Sequence, residues 1–265
     1  MTAFHVVIPA RLASTRLPGK ALLPLAGRPM VVRVAEQSAK SGAQQIWIAT
    51  DHQSIAAAVR QYGFKACLTH VNHASGTDRV AEVVEQLRWP DDTIVVNVQG
   101  DEPLIPPDLI RAVAQHLHDH SECAIATACH PIQDDEVLRN PNVVKTVLDK
   151  WGNALYFSRA PIPYLRDPPA SGNALPEHFS ILRHIGIYAY RAGFLRSFCK
   201  LVPAPLEQIE ALEQLRALWH GYKIGVTVSA AAPPSGVDTE QDLQAVRALF
   251  DGQRIIHNQT NGASS

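Results

Sequence analysis

Short apolar runs alternate with longer amphipathic ones through the first half of the chain. Phe4–Pro9, Gln45–Thr50, Lys65–Leu68 and Thr93–Val98 are short, rich in β-branched residues except at Lys65–Leu68, and bounded by polar or turn residues, which predicts strands. Between them, Pro29–Lys40, Gln53–Tyr62 and Thr77–Leu87 show helical spacing; Val80, Val83, Val84 and Leu87 fall at i, i+3, i+4 and i+7. Near-continuous apolar strands alternating with helices predict a mostly parallel sheet covered on both faces. Right-handed crossovers make this α/β fold Rossmann-like, with a ligand crevice at the carboxyl ends of the strands.

After about residue 130 the rhythm changes. Val143–Leu148 and Ala154–Ser158 flank Asp149-Lys150-Trp151-Gly152-Asn153, the pattern of a β-hairpin. A Pro-rich stretch from Pro161 to Pro176 predicts a surface loop. His184–Arg191 predicts a strand, helices follow near Arg191–Lys200 and Leu206–Trp219, and Lys223–Val228 returns to strand. A period of two puts His184 and Tyr188 on one face of their strand and Ile185, Ile187 and Ala189 on the other. Thr239 and Asp242 resemble a capping box at the start of a last helix. These elements form one α/β domain over residues 1–250, with a smaller antiparallel excursion at about 131–200. The polar end, 251–265, is expected to fray.

Composition then narrows the partners. Lys+Arg 24 against Asp+Glu 25 leaves no basic excess to attract a nucleic acid polymer and no acidic tail. No apolar run approaches the ~18 residues a membrane span needs, and Phe4–Pro9 is too short for a signal-peptide core. The cysteines Cys67, Cys123, Cys129 and Cys199 contain no Cys-x-x-Cys pair and suit reduced thiols in the cytoplasm. A zinc set of Cys123, Cys129 and His130 is a minor alternative.

The first strand runs into Pro9-Ala10-Arg11-Leu12-Ala13-Ser14-Thr15-Arg16-Leu17-Pro18-Gly19-Lys20, three cations in a loop where a doubly wound sheet binds ligands. Gly19 permits left-handed backbone, Pro18 stiffens the approach, and Ser14 and Thr15 supply donors. Arginine forks fit phosphate oxygens and lysine adds a mobile point charge, so the loop suits a polyphosphate. It is neither a Walker A loop nor Gly-x-Gly-x-x-Gly, which argues against a P-loop kinase and a dinucleotide dehydrogenase. The fourth strand ends in Asn97-Val98-Gln99-Gly100-Asp101-Glu102-Pro103, and a later loop carries Ser235-Gly236-Val237-Asp238-Thr239. Two acids from separate loops could hold a magnesium ion against phosphates. Taken singly, Asp101 equally suits a turn or helix cap and Asp238 a helix N-cap.

Taken together, these segments resemble the 3-deoxy-manno-octulosonate cytidylyltransferases, or CMP-Kdo synthetases. The resemblance covers roughly residues 4 to 250. It includes Ile8–Lys20, His73-Ala-Ser-Gly-Thr-Asp-Arg79, Asn97–Pro103, Ala154–Arg159, Arg183–Tyr190, Pro205–Arg216 and Gly236–Thr239. It implies transfer of CMP from CTP to the sugar acid Kdo, with release of pyrophosphate, for the inner core of lipopolysaccharide. It implies a homodimer, no membrane partner, and Mg2+ as cofactor held by Asp101 and Asp238. Arg11 and Lys20 resemble the triphosphate clamp, with Arg16 assisting; Ala10, Ser14, Ser75, Gly76, Arg79 and Gln99 match positions that meet the nucleotide. Arg159, His184, Tyr188, Glu213, Gln214 and Gln99 match positions of the sugar site, with Arg159 the candidate for its carboxylate. Each has another explanation: Tyr188 as half-core, His184 as a satisfied structural histidine, Glu213 as a solvated helix face. The loop at 168–176 is expected to order when the sugar binds. A CMP-sialic acid synthetase remains the nearest alternative enzyme. Hexose-1-phosphate nucleotidyltransferases stand further off, and a catalytically silent nucleotide-binding module is the alternative outside enzymes.

Overall fold

The computed structural model describes residues 2–14, 16–166 and 180–261, with 252–261 as backbone only. In chain order the first half comprises β1 (Phe4–Ala10), the short hairpin β2 (Pro24–Leu25) and β3 (Arg28–Pro29), and α1 (Met30–Ala39). It continues through β4 (Gln45–Thr50), α2 (Gln53–Gln61), β5 (Lys65–Leu68), α3 (Gly76–Gln86) and β6 (Ile94–Asn97). Then come α4 (Pro107–Asp119), β7 (Ile125–Pro131), α5 (Asp135–Arg139), β8 (Lys145–Leu148), β9 (Ala154–Ser158) and β10 (Leu182–Arg191). The chain closes with α6 (Ala192–Phe198), α7 (Pro205–Glu210), α8 (Gln214–Trp219), β11 (Ile224–Val228) and α9 (Glu240–Asn261).

The main sheet runs β11-β7-β10-β6-β1-β4-β5, with β8 paired to β10 and β9 to β8. β1 pairs in parallel with both β4 and β6, and β7 in parallel with β11. Strand order reverses between β1 and β6, so their carboxyl ends open onto a switch-point crevice. The expected α/β fold with a mostly parallel sheet is what the chain adopts. β10, however, does not stand apart in an excursion. It lies antiparallel inside the main sheet, between β6 and β7, and only β8 and β9 branch away from it.

Two apolar clusters sandwich the sheet. Val6, Ile8, Ile187 and Ala189 join the apolar stripes of α1 and α4 on one face; Val7, Val95 and Tyr190 join α3, α6 and α8 on the other. The alternation expected of β10 holds, since Ile185, Ile187 and Ala189 share the first cluster while Tyr188 packs against the second. Cys123 belongs to the first cluster and Cys129 to the second, so the zinc alternative has no geometry to support it.

The helix predicted over Leu206–Trp219 is two helices, because Ala211 adopts a left-handed conformation (φ 50°) that ends α7. The tail predicted to fray is helical as far as Asn261. The loop at 168–176 and residues 262–265 lie outside the described residues, as does the ordering expected of that loop.

Candidate active site

The basic loop leaves β1 at Ala10 and turns back at Gly19, whose φ of 64° puts it in the left-handed region ahead of a single 3-10 turn, Lys20–Leu22. That turn aims the Lys20 ammonium into the crevice. Its Nζ donates to Asp101 Oδ2 at 2.6 Å, to the Val237 carbonyl at 3.0 Å and to Asp238 Oδ1 at 3.1 Å. Arg16 adds a second bond to Asp238 Oδ1 at 3.1 Å. The Val237 amide donates to the Asp101 carbonyl at 2.8 Å, which ties the late acidic loop to the end of β6. Three segments far apart in sequence thus meet at one cation.

A cavity of about 310 Å³ opens beside this cluster. Ala10, Arg11, Ser14 and Lys20 line it from the basic loop, and Ser75, Gly76, Arg79 and Gln99 from across the crevice; Asp101 and Asp238 complete it. Gly100 is needed at its floor, since a Cβ there would lie 2.7 Å from the Pro9 carbonyl oxygen. Ser75 caps α3: its Oγ accepts from the Asp78 amide at 3.1 Å while Asp78 Oδ2 accepts from the Ser75 amide at 3.2 Å.

Arg79 is buried, and its guanidinium donates to Thr69 Oγ1 at 2.6 Å, the His70 carbonyl at 3.2 Å and Asp51 Oδ2 at 3.3 Å. Because Asp51 Oδ1 also accepts from the Leu12 amide, Arg79 braces the cavity wall to the basic loop. His73, which carried no predicted role, also lines the cavity, its Nε2 bonded to Glu82. Its position next to the Ser75–Arg79 segment was the available signal.

A second cavity, about 360 Å³, lies on the other side of Asp101 and Asp238 and is lined further by Glu102, Arg183, His184 and Gly186. Burial, reinforced by the Asp101 charge, raises the Glu102 carboxyl to about 7. Burial lowers His184 to about 4, so its ring is neutral at physiological pH. Thr127 Oγ1 donates to the Ile187 carbonyl at 2.6 Å and therefore accepts from His184 Nε2 at 2.9 Å, which assigns the proton to Nε2. His184 and Tyr188 are ring neighbours, 5.3 Å between centroids.

The remaining residues predicted for the sugar line neither cavity. The Arg159 guanidinium donates to backbone carbonyls of Glu210 at 2.7 Å, Pro141 at 3.1 Å and Ala211 at 3.5 Å. Glu213 is no solvated helix face: its carboxylate accepts from Ser75 Oγ at 3.1 Å and Thr77 Oγ1 at 3.2 Å. Gln214 is 6% exposed and its Nε2 is among the buried polar atoms lacking a partner.

A Rossmann-like sheet with a basic loop facing two carboxylates at its switch point places this chain among the nucleotide-handling α/β proteins. Residues 5–224 match the family described as Cytidylyltransferase. The chain belongs to the cytidylyltransferase family. It is 40% identical to CMP:2-keto-3-deoxy-manno-octonic acid synthetase, solved complexed with CTP, with a TM-score of 0.86 over 95% of this chain and 100% of that one. A cytidylyltransferase from Leptospira borgpetersenii serovar Hardjo-bovis (strain JB197) shares the fold at a TM-score of 0.58 and 15% identity, over 93% of this chain and 86% of that one. The resemblance to CMP-Kdo synthetases drawn from the sequence is thereby borne out. Among the described residues, no helix is long and apolar enough to cross a membrane.

Proposed function

We propose that this protein transfers CMP from CTP to 3-deoxy-manno-octulosonate, releasing pyrophosphate and supplying the activated sugar for lipopolysaccharide. The observation that carries it is the meeting of Arg11, Lys20, Asp101 and Asp238 at one cavity, in a chain 40% identical to a synthetase complexed with CTP. The anomeric hydroxyl of the sugar acid attacks the α-phosphorus in line, with positioning and charge neutralisation supplying most of the catalysis. Arg11 and Lys20 bind the triphosphate and neutralise charge that grows on the departing pyrophosphate. Ser75 and Gly76 offer backbone groups to the base, and a pocket sized for a pyrimidine excludes purines. Arg159, whose fork matches a carboxylate, orients the sugar acid together with His184, Tyr188, Glu213 and Gln214.

Magnesium fits the two acids. Both carboxylates approach one cation, the Lys20 ammonium, within 3.1 Å, and Mg2+ takes few protein oxygens while keeping several waters. Among the described residues no group of three or more His, Cys, Asp and Glu side chains is placed to hold a metal, so Asp101 and Asp238 would hold the ion as a pair. When bound, it would polarise the α-phosphate and lower the pKa of the attacking hydroxyl. Dimerisation through the β8–β9 region belongs to the same proposal, supported by exposed Trp151 and Leu155 on that hairpin. A cytoplasmic setting accords with its four free thiols. Pyrophosphate release from CTP that depends on both the sugar acid and magnesium tests the proposal; release that ignores the sugar acid would overturn it.

A further inference from the structure

The two halves of the site, read separately from the sequence, are joined by one carboxylate. Ser75, the N-cap of α3, lines the nucleotide cavity, and Thr77 lies buried one residue inside the helix. Glu213 comes from a segment far along the chain, just after the left-handed turn at Ala211 that separates α7 from α8. Its two oxygens are divided between them: Oε1 accepts from Ser75 Oγ at 3.1 Å and Oε2 from Thr77 Oγ1 at 3.2 Å.

Ser75 has a competing partner. Its Oγ also lies 3.0 Å from Asp78 Oδ2, and one hydroxyl proton serves one carboxylate at a time. Asp78 and Glu213 are thus alternative acceptors for the one Ser75 hydroxyl proton. Burial, with the nearby Asp78 charge, raises the Glu213 carboxyl, and the two hydroxyl bonds act against that rise. Thr77 is buried, so losing the Glu213 carboxylate takes an acceptor from a hydroxyl that water does not reach.

We infer that Glu213 is a positioning residue for the nucleotide, fixing the Ser75–Thr77 turn before any sugar acid is present. The inference rests on the cytidylyl-transfer reading above and assigns Glu213 a second task beyond the sugar hydroxyls. It also makes the two substrates interdependent. A sugar hydroxyl that engages Glu213 changes what the carboxylate offers Ser75 and Thr77, so sugar binding alters the hold on CTP.

Calorimetric titration of the full chain with CTP, in the absence of sugar acid, tests this directly. Wild type binds CTP. Glu213→Ala binds it about tenfold more weakly, the cost of removing the carboxylate that ties Ser75 to Thr77, while Glu213→Gln, which keeps an acceptor oxygen, stays within about threefold of wild type. Thr77→Val weakens CTP in the wild-type background and has little further effect in Glu213→Ala, since the two act through one contact. Thermal unfolding of each variant without ligand confirms that the titrated protein is folded. Wild-type affinity in Glu213→Ala, or simple addition of the two losses, overturns the inference while leaving the proposed function intact. Failure of wild type itself to bind CTP removes the proposed function and this inference with it.

Discussion

Lys20 Nζ donates to Asp101 Oδ2 at 2.6 Å across 81 residues of sequence, joining the end of β1 to the end of β6 at the switch point of the sheet. The same ammonium holds Asp238, so one cation compensates two acids in the ligand-free protein. Replacing Lys20 with Met removes both that compensation and a triphosphate contact. Turnover, measured as pyrophosphate release, is expected to fall by about 10²–10³-fold, the usual loss for one transition-state donor. Asp101→Asn is expected to lower turnover sharply with an unchanged circular dichroism spectrum. Near-normal release would remove Asp101 from the catalytic cluster.

Arg159 separates the two substrates. Its Nε and Nη1 are held by carbonyls of Glu210 and Pro141, which fixes the guanidinium, and among the described residues it forms no salt bridge. Arg159→Ala is expected to raise KM for the sugar acid at least about tenfold, the worth of one charge-assisted contact, with a much smaller change for CTP. An equal loss for both substrates would move Arg159 out of the sugar site.

Gly100, just past the end of β6, packs against the backbone at the end of β1. A methyl group there meets the Pro9 backbone oxygen at 2.7 Å, and backbone cannot swing away as a side chain can. Gly100→Ala is therefore expected to cost about 1–3 kcal/mol, read by denaturant titration, and to weaken CTP by displacing Pro9 and Ala10. Full stability in this variant would show that the strand ends have slack.

The pH dependence of stability has a defined sign at His184. Its folded pKa, about 4, lies below the ordinary histidine value of 6.5, so the unfolded chain binds the extra proton first. The His184 contribution is thus present above pH 6.5 and lost as pH falls towards 4, by at most about 3 kcal/mol. Glu102, raised to about 7, acts in the opposite direction across much of the same window. The informative quantity is the difference between wild type and His184→Gln, which should shrink on acidification from pH 7 to 4.5. A constant difference would contradict the assignment.

Much of the sheet was legible because its strands are short apolar runs bounded by polar or turn residues; Gln45–Thr50, Lys65–Leu68 and Ala154–Ser158 begin and end where predicted. β7 was not, since Ala-Thr-Ala-Cys gives neither bulk nor alternation. α4 was overlooked although Leu109, Ile110, Val113, Ala114 and Leu117 carry a helical stripe behind Pro107 at the helix start. The break at Ala211 had no local signal, because alanine is the strongest helix former and a left-handed alanine is imposed by packing. At the site, loop chemistry alone pointed to a polyphosphate beside Arg11 and Lys20. The convergence of Lys20 with Asp101 and Asp238 depends on strand order, which residue types do not encode locally. The bond from Glu213 to Ser75 spans 138 residues and was invisible for the same reason.

The central claim is tested most directly by incubating the protein with CTP and magnesium, adding 3-deoxy-manno-octulosonate or sialic acid in parallel, and measuring pyrophosphate. The account predicts stoichiometric release with 3-deoxy-manno-octulosonate and CTP, and little with sialic acid. Equal or greater release with sialic acid, or none with 3-deoxy-manno-octulosonate, would contradict it.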